Sequence, residues 1–289
     1  NTIGSATDEH DLYCLGGATF SSIAGWAIGI RSSTQDPLLV DNNVVGGLTA
    51  DGALWGEMYG MLMQGSTAQY TVTNNKVLNS YCAIDQTDTP GAVGIYIGGF
   101  TTTDNIISDN EVFNIGSMWP LLVGKASAVG IFLQGITNAS GGTIARNKIN
   151  RIWNHNSAYA SVFNATFGLY LDNLGTWNVE NNTIVMENRD SSGAVDTDLL
   201  MEVVGIMDVL GNGSTVSYIN NTVIVGGSQH EPTSRPYSSC ALALFPYFDP
   251  VSRIALPGHP TYLRNNLLVN GRTGGDLSTH TAIENITTN

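Results

Sequence analysis

Charge is scarce in this chain of 289 residues: Asp, Glu, Lys and Arg together make up 12%, about half of the roughly 25% usual for soluble domains. Basic residues are scarcest, with 11 Lys and Arg against 24 Asp and Glu and a net charge of −13. No basic stripe exists to neutralise phosphates, which argues against nucleic acid as a partner. No apolar run approaches the ~20 residues of a membrane-spanning helix, so no membrane insertion is expected. The three cysteines (Cys14, Cys82 and Cys240) are far apart and form no CxxC, which leaves little basis for zinc. They read as small buried hydrophobes, with a disulfide between two of them left open for an exported chain. No LxxLxL run is present, and no segment keeps a 3.6-residue apolar period over three turns, which argues against leucine-rich and helical repeats.

What the chain does have is 33 Gly, abundant Asn, Thr and Ser, and a hydrophobic content of 42%, too apolar for disorder. Many short strands joined by polar turns fit that mixture. Two signatures alternate along it. One is apolar-Gly-apolar, centred on Gly29, Gly60, Gly94, Gly130, Gly168 and Gly205, with Ala241 as a degenerate seventh copy. The other is an Asn-Asn-like corner whose second member is Asn43, Asn75, Asn110, Asn147, Asn182, Asn221 or Asn266. Successive centres stand 31, 34, 36, 38, 37 and 36 residues apart, one structural unit per period. Length varies between the corner and the next Gly, where loops of different size are expected, at 78–92, 113–128, 150–166 and 185–203.

The flanking columns make physical sense. Two residues after the corner stand Val45, Val77, Val112, Ile149, Ile184, Val223 and Leu268. Three before it stand Val40, Val72, Ile107, Ile144, Val179, Tyr218 and Leu263. Both are apolar and mostly β-branched, as buried strand positions are. Asn suits the corner because it tolerates left-handed backbone, and its amide can bond an equivalent Asn on the next rung. Asn1 aligns with the second corner Asn and Ile3 with the aliphatic column, so the first residues read as the end of a coil begun outside the chain.

These [N/D]N-x-[VI] and [VI]-G-[IL] units resemble right-handed parallel β-helix repeats, the pectate-lyase-like solenoids. In texture they are closest to the β-helix regions of large exported bacterial surface proteins of the Bacteroidetes type. The resemblance implies an all-β fold: a single β-helix over residues 1–289, of about eight coils with long loops leaving one corner. It is expected to be a segment of a longer polypeptide or a subunit of a stacked assembly.

On such a coil the residue after each inward aliphatic points outward, which gives Arg31, Leu62, Tyr96, Phe132, Tyr170, Met207 and Ala243, beside an outward glycine column. Leu62, Tyr96, Phe132, Tyr170 and Met207 form the candidate binding stripe, because a contiguous apolar patch marks a contact site. The competing expectation is that the corner loops fold over it with Trp119, Leu121, Leu122, Trp153, Phe163, Leu199 and Leu200.

Catalytic signatures of the β-helix polysaccharide enzymes are not legible. The densest basic group is Arg146, Lys148 and Arg151, with Arg146 at a corner position. Asp172 and Asp208 lie on adjacent rungs as weak catalytic candidates, one four residues after its Gly and the other three, so strict alternation separates them. Glu180, Asp41 and Asp109 near the corners read as turn residues, with a structural calcium left open; no cofactor and no dedicated metal site is expected. The five histidines (His10, His155, His230, His259 and His280) fall in loops or inserts. Of six N-x-[ST] sequons (at Asn138, Asn164, Asn181, Asn212, Asn220 and Asn285), two are simply the repeat. The resulting expectation is a non-catalytic segment of an exported, extracellular or cell-surface protein: a stalk, adhesin or assembly subunit. Its partners would be other subunits, the rest of a larger protein, or polysaccharide. The alternative is a carbohydrate-active enzyme: a polysaccharide lyase, glycoside hydrolase or tailspike-like depolymerase.

Overall fold

The computed structural model describes residues 1–4, 12–15, 25–33, 37–52, 56–65, 69–84, 90–119, 127–135, 140–156, 165–173, 175–187, 202–211, 213–227, 239–244, 259–273 and 280–285. Their strands lie in three parallel sheets, and each coil contributes one strand to each sheet in turn. The first sheet follows the Asn corner and runs from Thr2–Gly4 through Val44–Gly46, Lys76–Ile84, Glu111–Trp119, Lys148–Asn156, Thr183–Met186 and Thr222–Val225 to Leu267–Asn270. The second holds the Gly signature, in eight strands from Gly25–Ser33 to His280–Asn285. The third precedes the corner, in seven strands from Leu38–Asp41 to Thr261–Arg264. Parallel strands joined by crossovers wind right-handed, and the result is a right-handed parallel β-helix.

The core is a tube between the sheets. Val45, Val77, Val112, Ile149, Ile184 and Val223 line it from the first sheet. Met61, Ile95, Ile131, Leu169, Ile206 and Leu242 line it from the second, and Val40, Val72, Ile107, Ile144, Val179 and Tyr218 from the third. Both corner-flanking columns are therefore interior, in the register expected, as far as Val223 and Tyr218. At the last rung Leu268 is only partly buried, and Leu263, expected inside, is 43% exposed because no further strand of its sheet among the described residues covers it. Ile3 pairs with Val45, and the Asn1 amide donates to Asn43 Oδ1 at 3.2 Å.

At the corner the first residue of each pair takes the left-handed conformation, with φ between 53° and 58° from Asn42 to Asn265, Asp109 and Arg146 included. The second Asn turns inward and forms a ladder. Asn43, Asn75, Asn110, Asn147, Asn182 and Asn221 each donate from Nδ2 to Oδ1 of the next rung, at 2.9–3.1 Å.

Two expectations change. The glycine column does not point outward. A Cβ built on Gly130 would lie 2.5 Å from Ile149 Cγ2, inside the tube, and 2.6 Å from the Gly168 carbonyl oxygen. Gly60, Gly94, Gly168 and Gly205 meet the same column. Alternation breaks here: the pairing passes from Val93 to Ile95, so two consecutive positions face inward and the first must be Gly to admit the opposing aliphatic. The second change concerns the loops. Residues 78–84, 113–119 and 150–156 continue the first sheet as nine-residue strands. Their backbone bends at Asn79, Asn114 and Arg151, with φ of 48°, 57° and 56°, in line with Gly47 at 66°.

Candidate binding face and buried polar clusters

Pairing in the second sheet places Arg31, Leu62, Tyr96, Phe132, Tyr170, Met207 and Ala243 on one row. All but the exposed Arg31 belong to a second apolar cluster outside the tube, which also takes in Tyr59, Val93, Val129, Phe167, Val204 and Cys240. Within the row, Leu62 is 1% exposed and Phe132 7%, while Tyr96, Tyr170 and Met207 are half-buried. The rings are in contact along the coil axis. Tyr96 meets Phe132 edge-on at 5.1 Å, and Phe132 stacks on Tyr170 at 4.8 Å with 12° between planes. Phe167 stacks on Tyr170 from the neighbouring column at 5.1 Å. Such pairs gain about 0.5–1.5 kcal/mol each beyond the area they bury.

A polar row runs two residues further along the same strands, through Gln64, Gly98, Gln134 and Asp172. At Gly98 a side chain is missing, and a Cβ there would sit 2.5 Å from the Tyr96 hydroxyl oxygen. That hydroxyl donates to Gln134 Oε1 at 2.8 Å, and Gln134 Nε2 donates to Asp172 Oδ2 at 2.8 Å. Burial raises the Asp172 pKa, and the Gln134 hydrogen bond only partly offsets it. Burial also raises the Tyr170 and Tyr96 hydroxyls, with the Asp172 charge adding to both. At the opposite edge of the sheet the Tyr59 hydroxyl donates to Glu57 Oε2 at 2.7 Å, and burial, then the Glu57 charge, raises its pKa.

The segments expected to fold over this face, with Leu121, Leu122, Phe163, Leu199, Leu200 and the Trp119 side chain, lie outside the described residues. Trp153 is described, and it sits in the first sheet instead. Its ring occupies the space left by Gly116 on the preceding rung, packs beside Tyr81 at 6.2 Å, and donates from Nε1 to Asn114 Oδ1 at 2.9 Å.

Asp172 and Asp208 do not meet. Asp172 pairs with Val209 and Asp208 with Leu171, a one-residue offset that sends the first carboxylate outward and the second into the tube. Asp208 is fully buried and holds a cluster absent from the sequence-level expectation. Its Oδ2 accepts from the Tyr218 hydroxyl at 2.8 Å and faces His259 Nε2 at 3.1 Å. His259 Nδ1 faces the Leu210 carbonyl at 3.1 Å. Both ring nitrogens thus meet acceptors, an arrangement only the imidazolium satisfies in full. Burial lowers the His259 pKa, but the hydrogen bond and charge of Asp208, with the Leu210 carbonyl, raise it by more. Burial and Asp208 push the Tyr218 hydroxyl well above its ordinary value. The clue was present in two columns at once. Asp208 replaces the aliphatic of Met63, Ile97, Leu133 and Leu171, and Tyr218 replaces the β-branched residue of the facing sheet. His259 lies beside the insert, where no period guides the eye.

At the Asn corner a shallow depression of about 290 Å³ is lined by Asn74, Lys76, Asp109, Asn110, Glu111, Arg146 and Lys148. Its charges answer one another. Lys76 pairs with Glu111 at 2.9 Å, and Arg146 grips both Asp109 oxygens at 2.8 and 2.7 Å, lowering the Asp109 pKa. Asp41 accepts from Thr73 and Asn74. Arg151 lies over the Phe113 ring at 5.8 Å. Among the described residues no three His, Cys, Asp or Glu side chains come together as a metal site would need. Cys82 and Cys240 are buried; the side chain of Cys14 lies outside the described residues, as do those of His10, His155 and His230. The His280 Nδ1 lies 2.7 Å from Ser239 Oγ.

Compared with known proteins, the sequence matches no family profile and no curated relative. A solved structure to which the chain is similar is that of a variant of the periplasmic alginate epimerase AlgG. The TM-score is 0.32 and the identity 12%, over 90% of this chain and 48% of that one. This chain thus aligns with about half the length of that protein, and the likeness is too distant to carry an inference about activity.

Proposed function

We propose that this chain is a non-catalytic β-helical segment of an exported or cell-surface protein that binds glycan along the outward face of its second sheet. The observation that carries the reading is the pair of parallel rows on that face. One carries aromatic rings in contact over three rungs, with Tyr96 and Tyr170 half-buried and Phe132 packed between them; the other carries the hydrogen-bonding line of the Tyr96 hydroxyl, Gln134 and Asp172. An apolar platform with a few convergent polar groups is the general form of a small-molecule or glycan site, and its repeat along the coil axis suits an extended chain. In the larger protein or assembly the same solenoid serves as a stalk, with other subunits or the rest of the polypeptide as its neighbours. The test is binding to a panel of neutral and acidic polysaccharides by calorimetry. Tyr170→Ala and Asp172→Asn are each expected to weaken the best ligand about tenfold, with the β-sheet circular dichroism unchanged. A panel without a single ligand, or variants that bind as well as the natural chain, would remove this reading.

One observation favours a carbohydrate-active enzyme instead. Burial raises the Asp172 pKa, as in the general acids of glycoside cleavage. The second carboxylate of such a pair does not come from Asp208, which faces the core. Release of reducing ends or unsaturated sugars by the natural chain, lost in Asp172→Asn, would establish the enzyme reading over the binding one.

A further inference from the structure

Beyond the last ladder residue the chain carries a cation that no acidic side chain among the described residues neutralises. Arg272 is 4% exposed, and its Nε and both terminal nitrogens are buried without a hydrogen-bond acceptor. The backbone that presents it is held on three sides. Gly271 N donates to the Val225 carbonyl at 2.8 Å and Thr273 N to the Gly227 carbonyl at 3.2 Å. Arg272 N donates to Asn270 Oδ1 at 3.1 Å. Asn270 is itself fixed, since its Nδ2 donates to the Ser239 carbonyl at 2.7 Å, to Ser239 Oγ at 3.0 Å and to the Thr281 carbonyl at 2.9 Å. Arg272 therefore falls beside Gly227 of the preceding rung, a residue without a side chain at φ 94°.

A guanidinium does not escape burial by losing its proton. Desolvation pulls its pKa only down to about 10, so the charge persists at neutral pH. A buried ion left without a counter-charge costs several kcal/mol, and its five N–H groups add unmet donors.

We infer that Arg272 is the anchor of an oxyanion site, taking two oxygens of a carboxylate, sulfate or phosphate group in the fork geometry of a guanidinium. The ligand is small at the point of contact, whether a free ion or the acidic group of a larger molecule. Its carrier need not be the glycan proposed for the second sheet.

The experiment is thermal unfolding of the intact chain, dialysed into chloride and titrated with sodium sulfate, phosphate, acetate or galacturonate at constant ionic strength. The natural chain is expected to gain a saturable 3–6 °C with at least one anion in the low millimolar range, since a ligand bound only to the folded state stabilises by mass action. Sulfate or phosphate alone points to a free ion, and galacturonate above acetate points to an acidic sugar. Arg272→Met is expected to lose the saturable gain and, in chloride, to melt no lower than the natural chain, because an unpaired buried charge has been removed. If Arg272→Met does not fold, Arg272→Lys keeps the charge but loses the fork, and its half-saturation is expected about tenfold higher. The inference is overturned by a natural chain with no saturable gain. It is overturned equally by an Arg272→Met that melts several degrees lower in chloride, which would assign the guanidinium a carboxylate of this same chain, or by an Arg272→Lys that saturates like the natural chain.

Discussion

Asn147 uses the full hydrogen-bonding capacity of its carboxamide on the rungs above and below it. Its Oδ1 accepts from both the main-chain N and the Nδ2 of Asn110, at 3.1 and 2.9 Å. Its Nδ2 donates to the Ile107 carbonyl at 2.9 Å and to Asn182 Oδ1 at 3.0 Å. All of this is buried, where an unmet polar group costs about 1–3 kcal/mol. Removing the carboxamide strands three partners at once: the Asn110 N–H, one Asn110 amide hydrogen and the Ile107 carbonyl. Asn147→Ala is therefore expected to lose about 2–4 kcal/mol in denaturant unfolding. Asn265→Ala, at an outer corner position, loses no rung of the ladder and is expected to cost less. Equal losses would mean that the ladder adds nothing beyond the corner bend.

At the scale of the element, the Asp208–His259–Tyr218 cluster ties a strand of the second sheet to the third sheet and to the residues entering Thr261–Arg264. The folded His259 pKa is raised above its unfolded value of about 6.5. The stability it contributes is thus fully present below about pH 6.5 and is lost as pH climbs through the folded value. Melting temperatures followed from pH 5.5 to 9.5 are expected to fall more for the natural chain than for His259→Gln, the two curves drawing together at high pH. Curves that stay parallel would show that this histidine holds no extra proton in the folded state. The same cluster marks the boundary of what a repeat makes legible. The strands, their register, the ladder and the outward row follow from columns that recur coil after coil, so each rung supports the reading of the next. Strict alternation fails at the inward glycines because the strand bends there, and only the approach of Ile149 to Gly130 reveals the break. The bends at Asn79, Asn114 and Arg151 recur on three coils but change residue type, so no column marks them in the sequence. Asp208 and Tyr218 are single departures in separate columns, and nothing local joins them to His259, 51 residues beyond Asp208.

For the molecule as a whole, rungs meet only their neighbours, so stability accumulates coil by coil. Any whole period is then removable if the columns stay in register. Deleting residues 148–182 takes out the 35 residues between two ladder positions and joins Asn147 to Thr183. Asn147 would then stack on Asn221, Ile144 on Tyr218, Ile131 on Ile206, and Gly130 on Gly205, each the contact its own column already makes. The shortened chain is expected to keep its β-sheet circular dichroism and a single cooperative melt. Deleting 148–165 removes about half a period instead and puts residues of the second sheet directly after an Asn corner. Every later column would shift onto the wrong face, and no cooperative melt is expected. The period deletion also removes Tyr170, Phe167 and Asp172 while leaving Tyr96, Phe132 and Gln134. Glycan affinity should therefore fall although the fold survives, which separates the scaffold from the surface it carries. A whole-period deletion that unfolds the chain would mean that the coils are not interchangeable units, and that stability rests on contacts such as the Trp153–Asn114 hydrogen bond that occur only once.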